Sequence, residues 1–304
     1  MQSKQAAINT WSFSMFSLLM TLGTLAAAKT TSEESAAFLS GQSTALGQAR
    51  ANRLAAGAGL NGGERRLSLG IKRCIRPHHC RSLAVDYQYT RYEFVGIDSR
   101  DRDLHRLQLP VTWTRASERR RLIINITPGI ATSSNVMKDL LNRGGSGDLF
   151  LNGQLESQPM ANRWGPVLGI RYDQRFGKSQ LTPVLGLELR RDPDTRLRLA
   201  FPESAIDIRI NDRHQVSWQL FPSGYVWHVV TDDFRNEFDY RVEGYRSEIE
   251  WRVRLARWVS LGIRGGVEFD RRHQFKDDAL TAIDTKLDKT WSFGVELRMT
   301  ASRP

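Results

Sequence analysis

The sequence predicts an all-β protein, an antiparallel up-and-down transmembrane β-barrel of about twelve strands, within a range of roughly ten to fourteen. Three observations predict this class. Apolar residues recur at every second position over most of the chain, and many connections between these segments are too short for a crossover helix. After residue 28, no stretch is apolar enough to predict a transmembrane helix.

The stretch "SEIEWRVRL" (residues 247–255) shows the two-residue period most plainly. Its apolar residues share one face of the predicted strand: Ile249, Trp251, Val253 and Leu255. Its charged residues share the other face: Glu248, Glu250, Arg252 and Arg254. Each face therefore needs a different environment, and the identity of those environments decides what kind of protein this is.

The same alternation recurs in segments along the rest of the chain: 83–89, 107–113, 122–126, 149–151, 168–172, 185–189, 197–201, 206–210, 216–220, 225–229, 249–255, 259–269 and 291–299. Turn-forming residues separate them, as in "RRDPDTR", "INDRH" and "FPSG". Longer polar connections occur at 129–148, 231–246 and 271–289. Short turns alternating with long loops are typical of outer-membrane barrels, with the short turns on the periplasmic side.

The amino terminus predicts export. Lys4 precedes the apolar run "WSFSMFSLLMTLGTLAAA", which ends in the small residues that signal peptidase recognises, so residues 1–28 are interpreted as a cleaved signal peptide. A transmembrane anchor is the alternative interpretation. Residues 29–66, rich in Ala, Ser and Gly, are predicted to be a partly disordered linker with room for a short helix at 47–56, and residues 67–304 the barrel domain.

The charge balance is basic, with 44 Lys and Arg against 33 Asp and Glu and a formal net charge of +11. Such a charge is compatible with nucleic acid, an anionic membrane surface or acidic ligands. Most arginines alternate with apolar residues instead of forming a basic stripe, and no nucleic-acid-binding motif is present. We therefore expect no nucleic-acid partner.

The two cysteines, Cys74 and Cys80, enclose a short segment, "CIRPHHC". In an exported protein this spacing favours a disulfide that closes a small loop, with Pro77 in the turn. A metal site that includes His78 and His79 is less favoured, because zinc-binding cysteines normally have two to four residues between them. Free thiols remain an alternative. We predict no metal ligand and no cofactor.

Two environments would accommodate strands with one apolar face. A soluble periplasmic β-protein would bury the apolar face inside, whereas a membrane barrel would turn it to lipid and the charged face to the lumen. The charged face of the last strands also carries Gly262, Gly266 and Gly294, and glycine makes room in a crowded lumen. The candidate lumen-facing residues are Glu188, Asp207, Arg209, Glu248, Glu250, Arg252, Arg254, Arg264, Glu268, Glu296 and Arg298.

Aromatic residues and the final strand also favour a membrane barrel. Most tryptophans, together with Tyr172 and Tyr225, fall near predicted strand ends or in the apolar register, as interfacial girdles require. The last strand runs from Ser292 to Met299 and is similar to the terminal signal through which the insertion machinery recognises outer-membrane barrels. It departs from that pattern because Met299 replaces the usual aromatic residue and five residues follow it.

The order of segments also resembles a bacterial family of uncharacterised, predicted outer-membrane β-barrel proteins. The resemblance lies in "DYQYTRYEF", in "LQLPVTW" followed by "IINITPGIATS", and in "SQLTPVLGLELRRDPDTRLRLAFPESAIDIRINDRHQVSW". It covers most of the chain after the predicted linker and contains no catalytic signature. The resemblance implies a barrel in the bacterial outer membrane and implies no specific activity.

No enzyme is predicted, because the sequence has no "GxSxG" and no His-x-Ser pair in a strand. We expect an outer-membrane barrel, in contact with outer-membrane lipid, that serves as a small pore with an Arg/Glu-lined lumen and favours small anionic solutes. Two alternatives stay open: a soluble periplasmic β-protein that binds a small ligand, and a barrel enzyme that acts on lipid, with His228 as a candidate base.

Overall fold

A computed structural model of the chain describes residues 34–51, 58–76, 78–97, 99–117, 120–137, 149–159, 164–191, 194–230, 236–276 and 281–302. The predicted signal peptide, residues 1–28, lies outside the described residues and stays a prediction. No helix in these ranges has the length and apolar character that crossing a bilayer requires.

The described residues form one sheet of 17 strands. In chain order they are β1 (Glu34–Arg50), β2 (Gly59–Arg76), β3 (His79–Val95), β4 (Arg102–Gln108), β5 (Val111–Ala116), β6 (Arg120–Ser133), β7 (Leu149–Pro159), β8 (Trp164–Asp173), β9 (Gln180–Arg190), β10 (Thr195–Phe201), β11 (Ser204–Arg209), β12 (His214–Pro222), β13 (Tyr225–Val230), β14 (Glu237–Ala256), β15 (Val259–Lys276), β16 (Ala282–Leu287) and β17 (Thr290–Ser302). The sheet closes on itself because β1 pairs antiparallel with both β2 and β17.

The closed barrel has 14 strand positions around its circumference. Three pairs of the 17 strands run end to end, and each pair occupies one position. β4 and β5 share the neighbours β3 and β6, β12 and β13 both pair with β14, and β16 and β17 both pair with β15. The prediction of an all-β antiparallel up-and-down barrel is confirmed. The predicted number of about twelve is too low, and the observed number lies at the upper limit of the predicted range.

Two of the barrel strands, β1 and β2, lie wholly or partly in the segment predicted to be a linker. Residues 34–50 form β1 and residues 59–66 begin β2, so the linker interpretation is wrong for both segments. The short helix predicted at 47–56 is wrong for residues 47–50, which belong to β1, and residues 52–56 lie outside the described residues. β1 consists mainly of Ala, Ser, Thr, Gly and Gln, and it lacks a clear apolar alternation. Its strand conformation depends on backbone hydrogen bonds to neighbours on both sides, which local sequence does not reveal.

The apolar face of the strands lies on the outside of the barrel. Ile249 is 56% exposed, Leu185 is 54% exposed and Trp291 is 76% exposed, whereas Glu188 and Glu156, on the inner face, are completely buried. A water-soluble calyx would show the opposite arrangement. Most of the strands contribute exposed apolar residues to this outer surface through the two-residue period.

The two ends of the barrel differ. The turn end carries the short connections 77–78, 117–119, 160–163, 191–194, 210–213 and 257–258, together with the start of β1 and the end of β17. The loop end carries 51–58, 96–101, 134–148, 174–179, 202–203, 231–236 and 277–281. The predicted alternation of short turns and longer loops is therefore present, although the connection at 202–203 is also short.

β13 closes the barrel differently at the loop end. It pairs with β14 on one side, and on the other side His228 forms a parallel bridge to Thr132 of β6. The hydroxyl of Thr132 donates to the carbonyl of His228 at 3.0 Å. Strands β7 to β11 take no part in this closure, so the loop end is a narrower ring than the rest of the barrel.

An apolar core fills the inside of this narrower ring. Its buried members are Leu46, Ala49, Leu60, Tyr92, Leu104, Ala131, Phe150, Tyr225, Trp227, Val229, Phe238, Tyr240, Val242, Phe275 and Leu287. The sequence prediction that the apolar face of every strand meets lipid is therefore wrong for 225–229. Tyr225 and Trp227 are 2% and 4% exposed inside the barrel, so neither belongs to an interfacial girdle.

Candidate functional site

The inner face of the barrel carries a compact group of ionised side chains, here called the charge layer: Glu248, Glu250, Arg252, Arg264 and Glu296. Arg264 is at its centre, because its guanidinium contacts Glu296 and lies 3.2 Å from Glu248 and 3.1 Å from Glu250. Arg252 lies 2.5 Å from Glu250. Each carboxylate of the layer therefore has at least one arginine partner, which offsets the cost of its burial.

Strand register and two glycines explain why these side chains meet. Glu250 pairs with Arg264 across β14 and β15, and Arg264 in turn pairs with Gly294 of β17. A Cβ atom at Gly262 would lie 2.9 Å from Oε1 of Glu250, and one at Gly294 would lie 3.1 Å from Cγ of Arg264. The absence of side chains at these positions makes room for the ion pairs.

A second cluster lies closer to the apolar core. Arg246 of β14 makes two contacts to Glu64 of β2, at 3.1 and 3.2 Å, and its Nε donates to Glu268 of β15 at 2.8 Å. Arg271 lies 3.1 Å from Glu268. Because β2 and β14 are not neighbours in the sheet, the Arg246–Glu64 pair connects separated parts of the wall.

A third cluster joins β7, β9, β10 and β11. Glu156 and Arg198 form an ion pair in which both side chains are buried, and the contact between Nη1 and Oε1 is 2.5 Å. Glu188 lies 2.6 Å from Arg190 and 3.1 Å from Arg196. Arg196 also reaches Asp207, at 3.4 Å.

The predicted lumen-facing residues fall into these clusters and one further region. The charge layer contains five of them and contacts Arg298, which lies 2.8 Å from Glu296. Glu188 and Asp207 meet through Arg196, and Glu268 belongs to the Arg246 cluster. Arg209 and Arg254 lie apart from the clusters, at the turn end, where Arg209 pairs with Asp194 at 3.2 Å.

Several inner-face residues were missed by the sequence analysis. Arg106, Glu156 and Arg198 each lie beside apolar residues with the two-residue period, so the same rule applied to their strands would have found them. Glu64 had no such signal because it lies in the segment interpreted as a linker. Arg246 lies in a connection interpreted as a polar loop.

A central cavity of about 440 Å³ lies between the charge layer and the apolar core. Its wall includes Glu248 and Arg264 of the charge layer, Tyr225 and Trp227 of the core, and residues at the loop-end rim such as Glu203. The arginines that line it are Arg66, Arg106, Arg175, Arg196, Arg198, Arg246 and Arg264, and the glutamates are Glu64, Glu203 and Glu248. One wall is therefore apolar, and the remainder is lined by arginines and glutamates.

A second cavity, of about 400 Å³, forms the mouth of the lumen at the turn end. Its arginines are Arg209, Arg213, Arg252, Arg254, Arg257 and Arg298, and Asp212 is the one acidic residue in its described lining. Arg252 and Arg298 are paired with glutamates of the charge layer. Arg213, Arg254 and Arg257 have no ion pair with any described residue, so this mouth carries a local positive charge.

The two cysteines and His228 were also candidate functional residues. Cys74 and Cys80 form a disulfide with an S–S distance of 2.06 Å next to the β2–β3 turn, which confirms the predicted pairing. His228 is 8% exposed in β13, and its Nε2 lies 3.6 Å from a carboxylate oxygen of Glu237. The described residues include no group of three or more His, Cys, Asp or Glu side chains that could hold a metal ion.

No protein-family model matches the chain, and no curated protein matches it. Among solved structures, the chain is similar to the COG4313 outer membrane channel from Pseudomonas putida F1, with 8% identity, coverage of 90% of this chain and 97% of that chain, and a TM-score of 0.49. The translocator domain of autotransporter NalP from Neisseria meningitidis has 9% identity, coverage of 95% of each chain and a TM-score of 0.39. The Pseudomonas putida toluene transporter TodX has 11% identity, coverage of 90% of each chain and a TM-score of 0.39.

The class of the protein follows from its own architecture. Backbone polar groups in lipid need internal partners, and among β-structures only a closed barrel provides them for every strand. A closed antiparallel barrel with an apolar exterior and a charged interior is the arrangement of bacterial outer-membrane barrels. The chain is an outer-membrane β-barrel protein, as the family resemblance implied.

Proposed function

We propose that this barrel is a small pore that favours anions, with the Arg-rich mouth at the turn end as its selective element. The observation that carries the proposal is the group of three arginines in that mouth, Arg213, Arg254 and Arg257, which have no ion pair with any described residue. Rings of basic side chains concentrate anions and repel cations at a pore mouth. The cavity of about 400 Å³ is large enough to admit hydrated small ions.

The charge layer is the constriction of this pore. It separates the mouth cavity from the central cavity, and it contributes Arg252 to the lining of the first and Arg264 to that of the second. Alternating acidic and basic side chains leave a narrow polar path rather than an open channel. We therefore expect a conductance well below that of an open porin with a water-filled lumen.

The exit at the other end lies beside the apolar core. The core blocks the axis of the barrel, whereas the central cavity extends to Arg175 and Glu203 at the rim formed by the β8–β9 and β10–β11 connections. An ion that passes the charge layer leaves through this rim. The apolar core itself offers no path for an ion, because its aromatic side chains, such as Trp227, carry no charge.

The first test is the mobility of the extracted protein on gels with and without boiling, because closed membrane barrels resist detergent until heated. The second is the reversal potential of the reconstituted protein in a planar bilayer under a potassium chloride gradient. We expect a potential of the sign that indicates chloride preference. A cation-selective potential, or the absence of conductance in a correctly folded sample, would contradict the proposal.

The mouth arginines are tested by the triple variant Arg213→Gln, Arg254→Gln and Arg257→Gln. We expect its reversal potential to move toward zero, because the local positive charge is removed. The matched control removes three arginines from elsewhere on the barrel, with Arg65→Gln, Arg73→Gln and Arg81→Gln. An equal shift in both variants would assign the selectivity to the overall charge of the barrel instead of its mouth.

A further inference from the structure

Arg106 differs from the other arginines of the central cavity. Arg66, Arg175, Arg196, Arg198, Arg246 and Arg264 each have a carboxylate within ion-pair distance. Arg106 has none among the described residues: its Nη2 donates to the side-chain carbonyl of Gln88, and its Nε has no hydrogen-bond partner there. One arginine of the cavity therefore has no ion-pair partner among the described residues.

Arg106 lies at the boundary between the polar and apolar walls of the cavity. Its guanidinium carbon is 4.2 Å from the ring centroid of Tyr225, which is within the range of a cation–π contact. Trp227 and Phe221 line the same cavity. A ligand that contacts Arg106 would thus have apolar and aromatic side chains next to it.

An unpaired charge in a partly dehydrated site is costly, and an anionic ligand would remove that cost. The guanidinium presents two parallel donors that match a carboxylate. The cavity volume of about 440 Å³ falls within the usual range for small-molecule sites. An inorganic anion would satisfy Arg106 but would leave the apolar wall in contact with water.

We infer that the central cavity binds a small organic carboxylate with an apolar or aromatic body. Its carboxylate pairs with Arg106, and its body packs against Tyr225, Trp227 and Phe221. The loop-end rim near Arg175 and Glu203 gives access to the cavity. Binding at this position does not require that the barrel conduct ions, so the inference can fail or hold separately from the proposed pore.

Isothermal titration calorimetry of the full, detergent-folded barrel tests this inference with benzoate, acetate, benzamide and chloride as probes. We expect benzoate to bind at least about tenfold more tightly than acetate, because acetate lacks the apolar body. Benzamide, which has the same shape without the charge, and chloride should show no saturable binding. Equal affinity for benzoate and benzamide would overturn the role of the charge.

Variants at Arg106 locate the site. Arg106→Gln should weaken benzoate binding by about tenfold to a hundredfold, the usual effect of losing a charged hydrogen bond. Arg91→Gln is the matched control, because Arg91 is exposed and lies outside the cavity, and its affinity should equal that of the unaltered protein. Unchanged binding by a folded Arg106→Gln variant would overturn the inference.

Folding of each variant is checked by its heat-dependent gel mobility. If Arg106→Gln does not fold, Arg106→Lys replaces it, because lysine keeps the charge but loses the paired donors. We then expect benzoate affinity to fall while benzamide remains unbound. An Arg106→Lys barrel that binds benzoate as tightly as the original would place the carboxylate elsewhere.

Discussion

Arg246 and Glu64 are 182 residues apart in the chain, and their side chains form a two-contact ion pair inside the barrel at 3.1 and 3.2 Å. The pair joins β14 to β2. Along the barrel wall, these strands are separated by β15, by β16 and β17, which run end to end, and by β1. Such a contact braces the barrel from within, because neither strand is held to the other by backbone hydrogen bonds.

Removal of this brace should destabilise the barrel. We expect Glu64→Gln to lower the free energy of unfolding by about 1–3 kcal/mol, since Arg246 keeps Glu268 as a partner. The measurement is urea unfolding in detergent. Glu93→Gln is the control, because Glu93 pairs with Arg91 at an exposed position and should change stability by less than about 1 kcal/mol. Equal losses would remove the special role of the Arg246–Glu64 pair.

The charge layer should control conductance. Arg264→Ala removes the partner that Glu248, Glu250 and Glu296 share. We expect a larger single-channel conductance and a reversal potential shifted toward cations, because the constriction widens and becomes more acidic. Arg241→Ala is the control, since Arg241 is an exposed arginine paired with Asp239. A conductance unchanged by Arg264→Ala would place the constriction elsewhere.

The apolar core should contribute stability that a simple membrane barrel lacks. Leu104 is completely buried in it, and Leu104→Ala should lower the free energy of unfolding by about 2–5 kcal/mol through the cavity that it leaves. Leu104→Met, at the same position, keeps the side-chain volume and should cost less than about 1.5 kcal/mol. If both variants unfold like the original protein, the loop-end core does not stabilise the barrel.

The orientation of the strands is tested at Ile249. This residue is 56% exposed on the outer face, so Ile249→Arg places a charge against lipid and should cost about 2–4 kcal/mol if the position lies near the bilayer midplane. Gln219→Arg places the same charge on the inner face of the neighbouring strand, beside Glu248, and should be tolerated. Folding yields into lipid vesicles measure both. A well-folded Ile249→Arg barrel beside an unfolded Gln219→Arg barrel would reverse the assignment of faces.

The change of apolar face at the loop end explains one error of the sequence analysis. Apolar residues occupy even positions in β12, as at Val216 and Trp218, and odd positions in β13, as at Tyr225 and Trp227. If β12 and β13 were separate strands joined by a turn, even and odd positions in the two strands would not refer to the same faces, and the change from even to odd would be uninformative. The strands instead run end to end along β14, so the apolar face moves from the outside to the inside.

The same change occurs within β14 and β15. In β14, apolar positions are even from 238 to 242 and odd from 249 to 255. In β15, a bulge at Asp270, where φ is 51°, shifts the inner face from Glu268 to Arg271. The sequence contains this switch of apolar positions. It can be interpreted only when each strand is known to continue past the membrane-facing segment.

Local sequence determined the features that depend on periodicity and on short separations. These are the all-β class, the apolar and charged faces of strands such as β14, and the pairing of Cys74 with Cys80. The signal peptide at 1–28 and recognition of the last strand by the insertion machinery stay predictions. Each of the confirmed features rests on residues within one strand or one hairpin.

Tertiary structure alone decided the strand number, the closure by β13, the apolar core and the lack of an ion-pair partner for Arg106 among the described residues. β1 has too little apolar alternation to predict a strand, and it is held by register with β2 and β17. Whether an inner arginine has a carboxylate partner depends on strands that are distant in the chain, as the Arg246–Glu64 pair shows. The physical reason is that a two-residue period defines two faces for each strand, whereas barrel closure decides what each face meets.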